Sequence, residues 1–185
     1  MWFLVRERFS LAGGAISHVG LAIMLIGILF SAGYSKVVSL NRSGFAISTK
    51  VEDFTKDNNK ENKENLPLWL GQGAQMQDYL VTYKGRRIEV RGHKGYFNKN
   101  DFEIIEGDFH AVALKNIERD GVKIATKGDT VTVEPENTYY ELEFKNEDGK
   151  AVSLFPRWQV NPKMGTAISP DVKHAWNQDI YTYVS

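Results

Sequence analysis

Residues 11–32 read LAGGAISHVGLAIMLIGILFSA, and how this stretch is read decides how the rest of the chain is organised. Its 22 residues contain no Asp, Glu, Lys or Arg. A hydrocarbon core about 30 Å thick takes about 20 apolar residues in a helix rising about 1.5 Å per residue. Two other readings compete with a membrane span. A signal peptide's apolar region runs only about 7–15 residues, and no convincing small-residue cleavage site follows Ser35. A buried helix of a soluble protein would carry a polar stripe, and this one has none. The sequence therefore predicts one transmembrane helix over 11–32, a short flank over 1–10, and a domain over 37–185. Arg6 and Arg8 before the span are balanced by Lys36, Arg42 and Lys50 after it, so charge does not orient the helix.

At about 100° per residue the helix shows two faces. Gly13, Ser17, Gly20, Met24, Gly27 and Ser31 form a seam of mostly small side chains, the kind that lets a second helix approach in lipid. His18 falls on a separate face with Gly14, Leu21, Leu25 and Leu29. It is the only titratable side chain in the span, and an ionisable group in lipid needs a partner. That partner is either a metal accepting a neutral imidazole nitrogen or a hydrogen-bonding group on a neighbouring helix. Both faces imply a bundle, so the chain is expected to be a portion or subunit of a larger membrane assembly.

After the span the periodicity changes. Residues 37–50 resemble a short strand pair, and residues 52–65 (EDFTKDNNKENKEN) a solvated polar loop. Alternating runs then flank turn signals. Residues 78–84 and 86–91 flank Lys84-Gly85, residues 111–117 and 122–125 flank Asp120-Gly121, and residues 139–145 and 150–155 flank residues 146–149. Residues 129–133 and 179–184 add two more strands. Between them, residues 156–176 hold three prolines and little periodicity, which predicts an irregular segment with a short helical turn after Ser169-Pro170-Asp171. The expected fold is mainly β: one N-terminal transmembrane helix followed by a small antiparallel sandwich or open barrel.

The composition excludes several classes of function. There is no cysteine, so disulfides, thiolate metal sites, Cys nucleophiles and covalent haem attachment through Cys-x-x-Cys-His are ruled out. The 23 basic and 23 acidic residues balance, which gives no electrostatic case for nucleic acid. Hydrolase, zinc-protease and phosphate-loop motifs are missing, and Gly71-Gln72-Gly73 lacks the third glycine of a dinucleotide fingerprint. His93, His110 and His174 are too scattered to pair as ligands. Trp158, Met164 and Trp176 lie in the proline-rich segment. They either face a partner or fold back over a sheet edge.

Two segments together resemble the CcmF family, the haem-handling subunit of bacterial cytochrome c maturation. SHVGLAIMLIGILFSAGYS (Ser17–Ser35) is similar to that family's late transmembrane helix. FPRWQVNPKMGTAISPDVKHAWNQDIYTYVS (Phe155–Ser185) is similar to its extracytoplasmic segment, which ends in a comparable aspartate–aliphatic–tyrosine strand. The resemblance implies a protein of the cytoplasmic membrane with a periplasmic β domain, working with other cytochrome c maturation subunits and apocytochrome c. It also implies that His18 matches one of two transmembrane histidines holding a b-type haem. The family's tryptophan-rich haem-binding motif, its other haem-ligating histidines and most of its helices are not in this sequence. A second axial ligand would have to come from another chain, and haem-lyase catalysis by this chain alone is not expected. The competing expectation is a single-pass anchored binding or scaffold module with no haem role.

Overall fold

A computed structural model describes residues 2–33, 36–40, 63–175 and 178–184. The chain divides into two compact units, Met1–Val38 and Ser39–Ser185. The first is one helix, α1 (Trp2–Gly33), without a break at its glycines. Its stretch Gly13–Ser31 is long and apolar enough to cross a membrane, and side chains along it are exposed. Leu and Ile rotamers suit the helix, and the four glycines within the stretch are tolerated because its hydrogen bonds are internal.

The second unit is mainly β, and its antiparallel sheets form a curled half-barrel, the fold class expected from the sequence. The central sheet has seven strands. Its path runs β1 (Gly73–Met76), β2 (Tyr79–Glu89), β9 (Asn137–Asn146), β11 (Arg157–Asn161) and β12 (Gly165–Ser169). In addition, β3 (Tyr96–Asn98) pairs with β2, and β10 (Ala151–Leu154) pairs with β9. Three smaller sheets are β4 (Phe102–Ile104), β5 (His110–Ala113) and β8 (Thr130–Thr132); β6 (Ile117–Arg119) with β7 (Val122–Ala125); and β13 (Asp171–His174) with β14 (Asp179–Thr182). Helical structure among the described residues of this unit is a 3₁₀ turn, Lys99–Asp101, and residues 63–64.

Turn chemistry explains much of the order. Asp120 and Gly121 both have positive φ, 52° and 75°, the conformation a two-residue hairpin needs, and they join β6 to β7 as expected. Residues 146–149 join β9 to β10, closed by the Gly149 N–H to the Asn146 carbonyl at 3.0 Å. Lys84-Gly85 behaves differently from the expected hairpin turn. Both flanking runs pair with β9, with a register shift between Tyr83 and Gly85, so β2 is one long strand with a bulge. Gly85 takes φ +114° there. The expected strand over 111–117 is also split, between β5 and β6.

Residues 156–176 are a second correction, since β11, β12 and β13 occupy most of them. Asn161-Pro162-Lys163-Met164-Gly165 is a hairpin turn. The Asn161 side-chain oxygen accepts the N–H groups of Lys163 and Met164, both at 2.9 Å, and Gly165 takes φ +84°. The expected helical turn after Ser169 is absent. The Asp171 carboxylate accepts the Phe155 N–H at 2.7 Å and the Val172 N–H at 2.9 Å, which fixes an extended strand. Most of the strand pair expected over 37–50 and of the loop over 52–65 lies outside the described residues; 37–40 carry no strand, and 63–64 are helical.

Two hydrophobic clusters share one face of the central sheet. Val81, Leu142, Phe144, Leu154 and Met76 form one, with Leu66, Leu68 and Ile180 against it. Ile88 and Phe97 belong to the other, completed by Phe102, Ala111, Ala113, Ile117 and Ala125 from the smaller sheets and by the bridged pair Val90 and Val133. The bulge makes this possible. Val81 and Tyr83 point to the same face as Arg86 and Ile88 because the extra residue shifts the period-2 phase by one. Full burial of a side chain such as Val81 or Ile88 stabilises by about 1.5–3 kcal/mol.

Candidate functional site

On α1, the His18 Nδ1 lies 2.7 Å from the Gly14 carbonyl oxygen, one turn earlier. A carbonyl only accepts, so Nδ1 is the donor in this contact and the ring is oriented by it. A Cβ built at Gly14 would meet nothing within 4 Å, so the space beside the helix there is open. Ser17 donates to the Gly13 carbonyl at 3.0 Å, which satisfies that hydroxyl within the helix. His18 is the one histidine of α1.

Two of the other three histidines meet carboxylates. His110 Nδ1 meets Asp108 at 2.8 Å, and His174 Nδ1 meets Asp179 at 3.0 Å. Asp108 is held below the ordinary aspartate range by its hydrogen bonds from His110 and from the Phe109 N–H. Among the described residues no three His, Asp or Glu side chains converge as a metal site.

Of the three residues expected to face a partner, Trp158 and Met164 are described and Trp176 lies outside the described residues. Trp158 sits in the sheet on β11, opposite Thr138 of β9 and Ile168 of β12, and is half-buried. Met164 is at the tip of the β11–β12 turn and is 88% exposed.

Sequence reasoning missed a polar strip between the two clusters. Arg86 stands opposite Tyr140, and Thr138 and Trp158 continue on the same face. Lys99, which follows β3, donates its ammonium to the Thr138 hydroxyl at 2.7 Å. The rings of Tyr83 and Tyr140 lie 6.0 Å apart at the edge of this strip. On the opposite face the neighbouring Arg87 is paired with Glu141, and Lys84 reaches Glu143 at 3.0 Å. Neither Arg86 nor Lys99 has an ion-pair partner among the described residues. Burial, and secondarily the Arg86 charge, hold the Lys99 ammonium below the ordinary lysine range. No single sequence signal marks this strip, because it joins residues up to 72 positions apart (158 minus 86) through sheet register. Comparison of the chain with protein-family models, curated proteins and solved structures returns no match.

Proposed function

We propose that this chain is a membrane-anchored component of the machinery that delivers and attaches haem to apocytochrome c, with its β unit on the periplasmic side. The supporting observation is the geometry of His18. An exposed imidazole on an apolar helix has its Nδ1 engaged by the Gly14 carbonyl, which leaves Nε2 without a protein partner among the described residues. Leaving such a group without a partner in lipid is costly, and haem iron is a fitting partner for a neutral imidazole. The resemblance of residues 17–35 and 155–185 to the CcmF family points to the same chemistry. A b-type haem held there supplies an iron centre that can accept and return an electron. His18 would bind it, and Gly14 would leave room beside the helix for a flat macrocycle. The second ligand would come from a partner subunit.

The test is His18→Ala in the chain purified from membranes with its partner subunits. The expected result is loss of the low-spin b-haem absorbance, with His93→Ala, His110→Ala and His174→Ala unchanged. An intact spectrum in the His18 variant refutes the reading. The second reading, an anchored scaffold, is favoured by the exposed Met164 hairpin. It predicts that Met164→Glu lowers cytochrome c yield while the His18 substitution does not.

A further inference from the structure

The polar strip between the two clusters has no place in the His18 chemistry, yet its composition is specific. Two cations share one part of a sheet face, and neither meets a carboxylate among the described residues. The Lys99 ammonium is half-buried and has one neutral hydroxyl, Thr138, for three donors. Arg86, five donors in a planar fork, stands beside it with no hydrogen bond among the described residues. Their adjacency follows from register. Arg87 pairs with Asn98, which sets Arg86 beside Lys99 on the other face. Like charges side by side on a sheet gain nothing without a counter-charge, although Arg86 is exposed to water and only Lys99 is half-buried. The neighbouring cations Arg87 and Lys84 show the usual solution, since each is paired with a glutamate of β9, Glu141 and Glu143.

The surroundings decide which anion fits. Tyr140, opposite Arg86, and Trp158, opposite Thr138, offer aromatic surface next to the cations, with Tyr83 beyond. Each of these aromatic side chains is only partly buried. A guanidinium fork matches a carboxylate in two parallel hydrogen bonds, and aromatic side chains favour a flat apolar body. A small tetrahedral anion would use the cations and leave the rings idle.

We infer that the strip formed by Arg86, Lys99, Thr138, Tyr140 and Trp158 is a binding site for a planar aromatic carboxylate, its charged end on Arg86 and Lys99 and its flat body along Tyr140 and Trp158. The site lies wholly within the β unit, and its test is separate from the His18 spectrum. The full chain in lipid nanodiscs, with empty discs as blank, is titrated with 2-naphthoate while the Trp158 indole N–H resonance is followed by NMR. Saturable movement of that resonance is expected. The neutral 2-naphthalenemethanol and inorganic phosphate should each bind at least about tenfold more weakly. Arg86→Met and Lys99→Met should each weaken naphthoate binding by about tenfold, while Lys84→Met, on the other face, should not. In the wild-type chain naphthoate should also raise the Lys99 titration midpoint, a readout that does not depend on any variant folding. An unmoved Trp158 resonance, an unmoved Lys99 midpoint, or equal binding of phosphate or the neutral alcohol would each overturn the assignment.

Discussion

Tyr139 shows how much one hydroxyl can organise. Its ring is buried at 8% exposure, and its OH donates to Glu89 Oε2 at 2.6 Å across the sheet. Tyr96 packs beside it at 4.6 Å between ring centres and stacks on Phe155 at 4.3 Å. Burial first, then the Glu89 hydrogen bond and charge, push the Tyr139 hydroxyl well above the ordinary tyrosine range. The sign follows directly. A raised folded-state value favours the protonated fold, so this contribution is complete below the ordinary tyrosine value and is lost as pH rises through the higher folded one. Tyr139→Phe should cost about 1–2 kcal/mol near neutral pH, measured by urea unfolding, because a hydrogen bond to a charged acceptor is removed. The same variant should show a shallower loss of stability above pH about 10 than the wild type. An unchanged alkaline limb would mean that Tyr139 does not set it.

At the scale of elements, one glycine decides whether β2 is one strand or two. Gly85 at φ +114° absorbs the extra residue of the bulge, in a conformation that L side chains rarely adopt. A Cβ there would meet Leu70 Cδ1 at an ordinary 3.5 Å, so the cost of Gly85→Ala is conformational rather than steric. It should be about 1–3 kcal/mol in thermal or urea unfolding, whereas Gly107→Ala, in a loop, should leave the central sheet's register intact. The Lys-Gly pair looked like a hairpin turn in the sequence because a bulge and a turn use the same residue. Only the phase shift of inward residues, odd at Val81 and Tyr83 and even at Arg86 and Ile88, carries the distinction. Similarly, Asn161-Pro162-Lys163-Met164-Gly165 contains the Asn, Pro and Gly of a hairpin turn, but the three prolines of residues 156–176 obscured the strands on either side. Asn161→Ala should loosen this hairpin specifically. It removes the acceptor for two turn N–H groups and the side-chain donor to Glu136 at 3.0 Å, so amide exchange at Lys163 and Met164 should accelerate more than exchange in β9.

At the scale of the whole molecule, the sequence was most legible where composition alone carries the information. An uninterrupted apolar stretch can only be a long helix, and alternating runs with Asp-Gly and Asn-Glu-Asp-Gly turns can only be antiparallel sheet. The Arg86–Lys99–Trp158 strip was illegible because it exists only once β2, β9 and β11 have found their register. The two units differ in how their apolar surface is satisfied. In the β unit, Val81, Ile88, Val133 and their neighbours are removed from water by its own strands. Along α1, Ile16, Ile23 and Leu29 keep 65–71% of their surface exposed, and so need lipid or other helices. Residues 37–185 produced without the helix should therefore remain in solution without detergent and keep a single cooperative thermal transition. The full chain should sediment with membranes, resist high-salt extraction, and retain residues 1–33 in its intact mass. Loss of those residues would make α1 a removed leader, and release of the full chain by salt would remove the anchor altogether. Aggregation of residues 37–185 would mean that the β unit needs the helix to cover its surface.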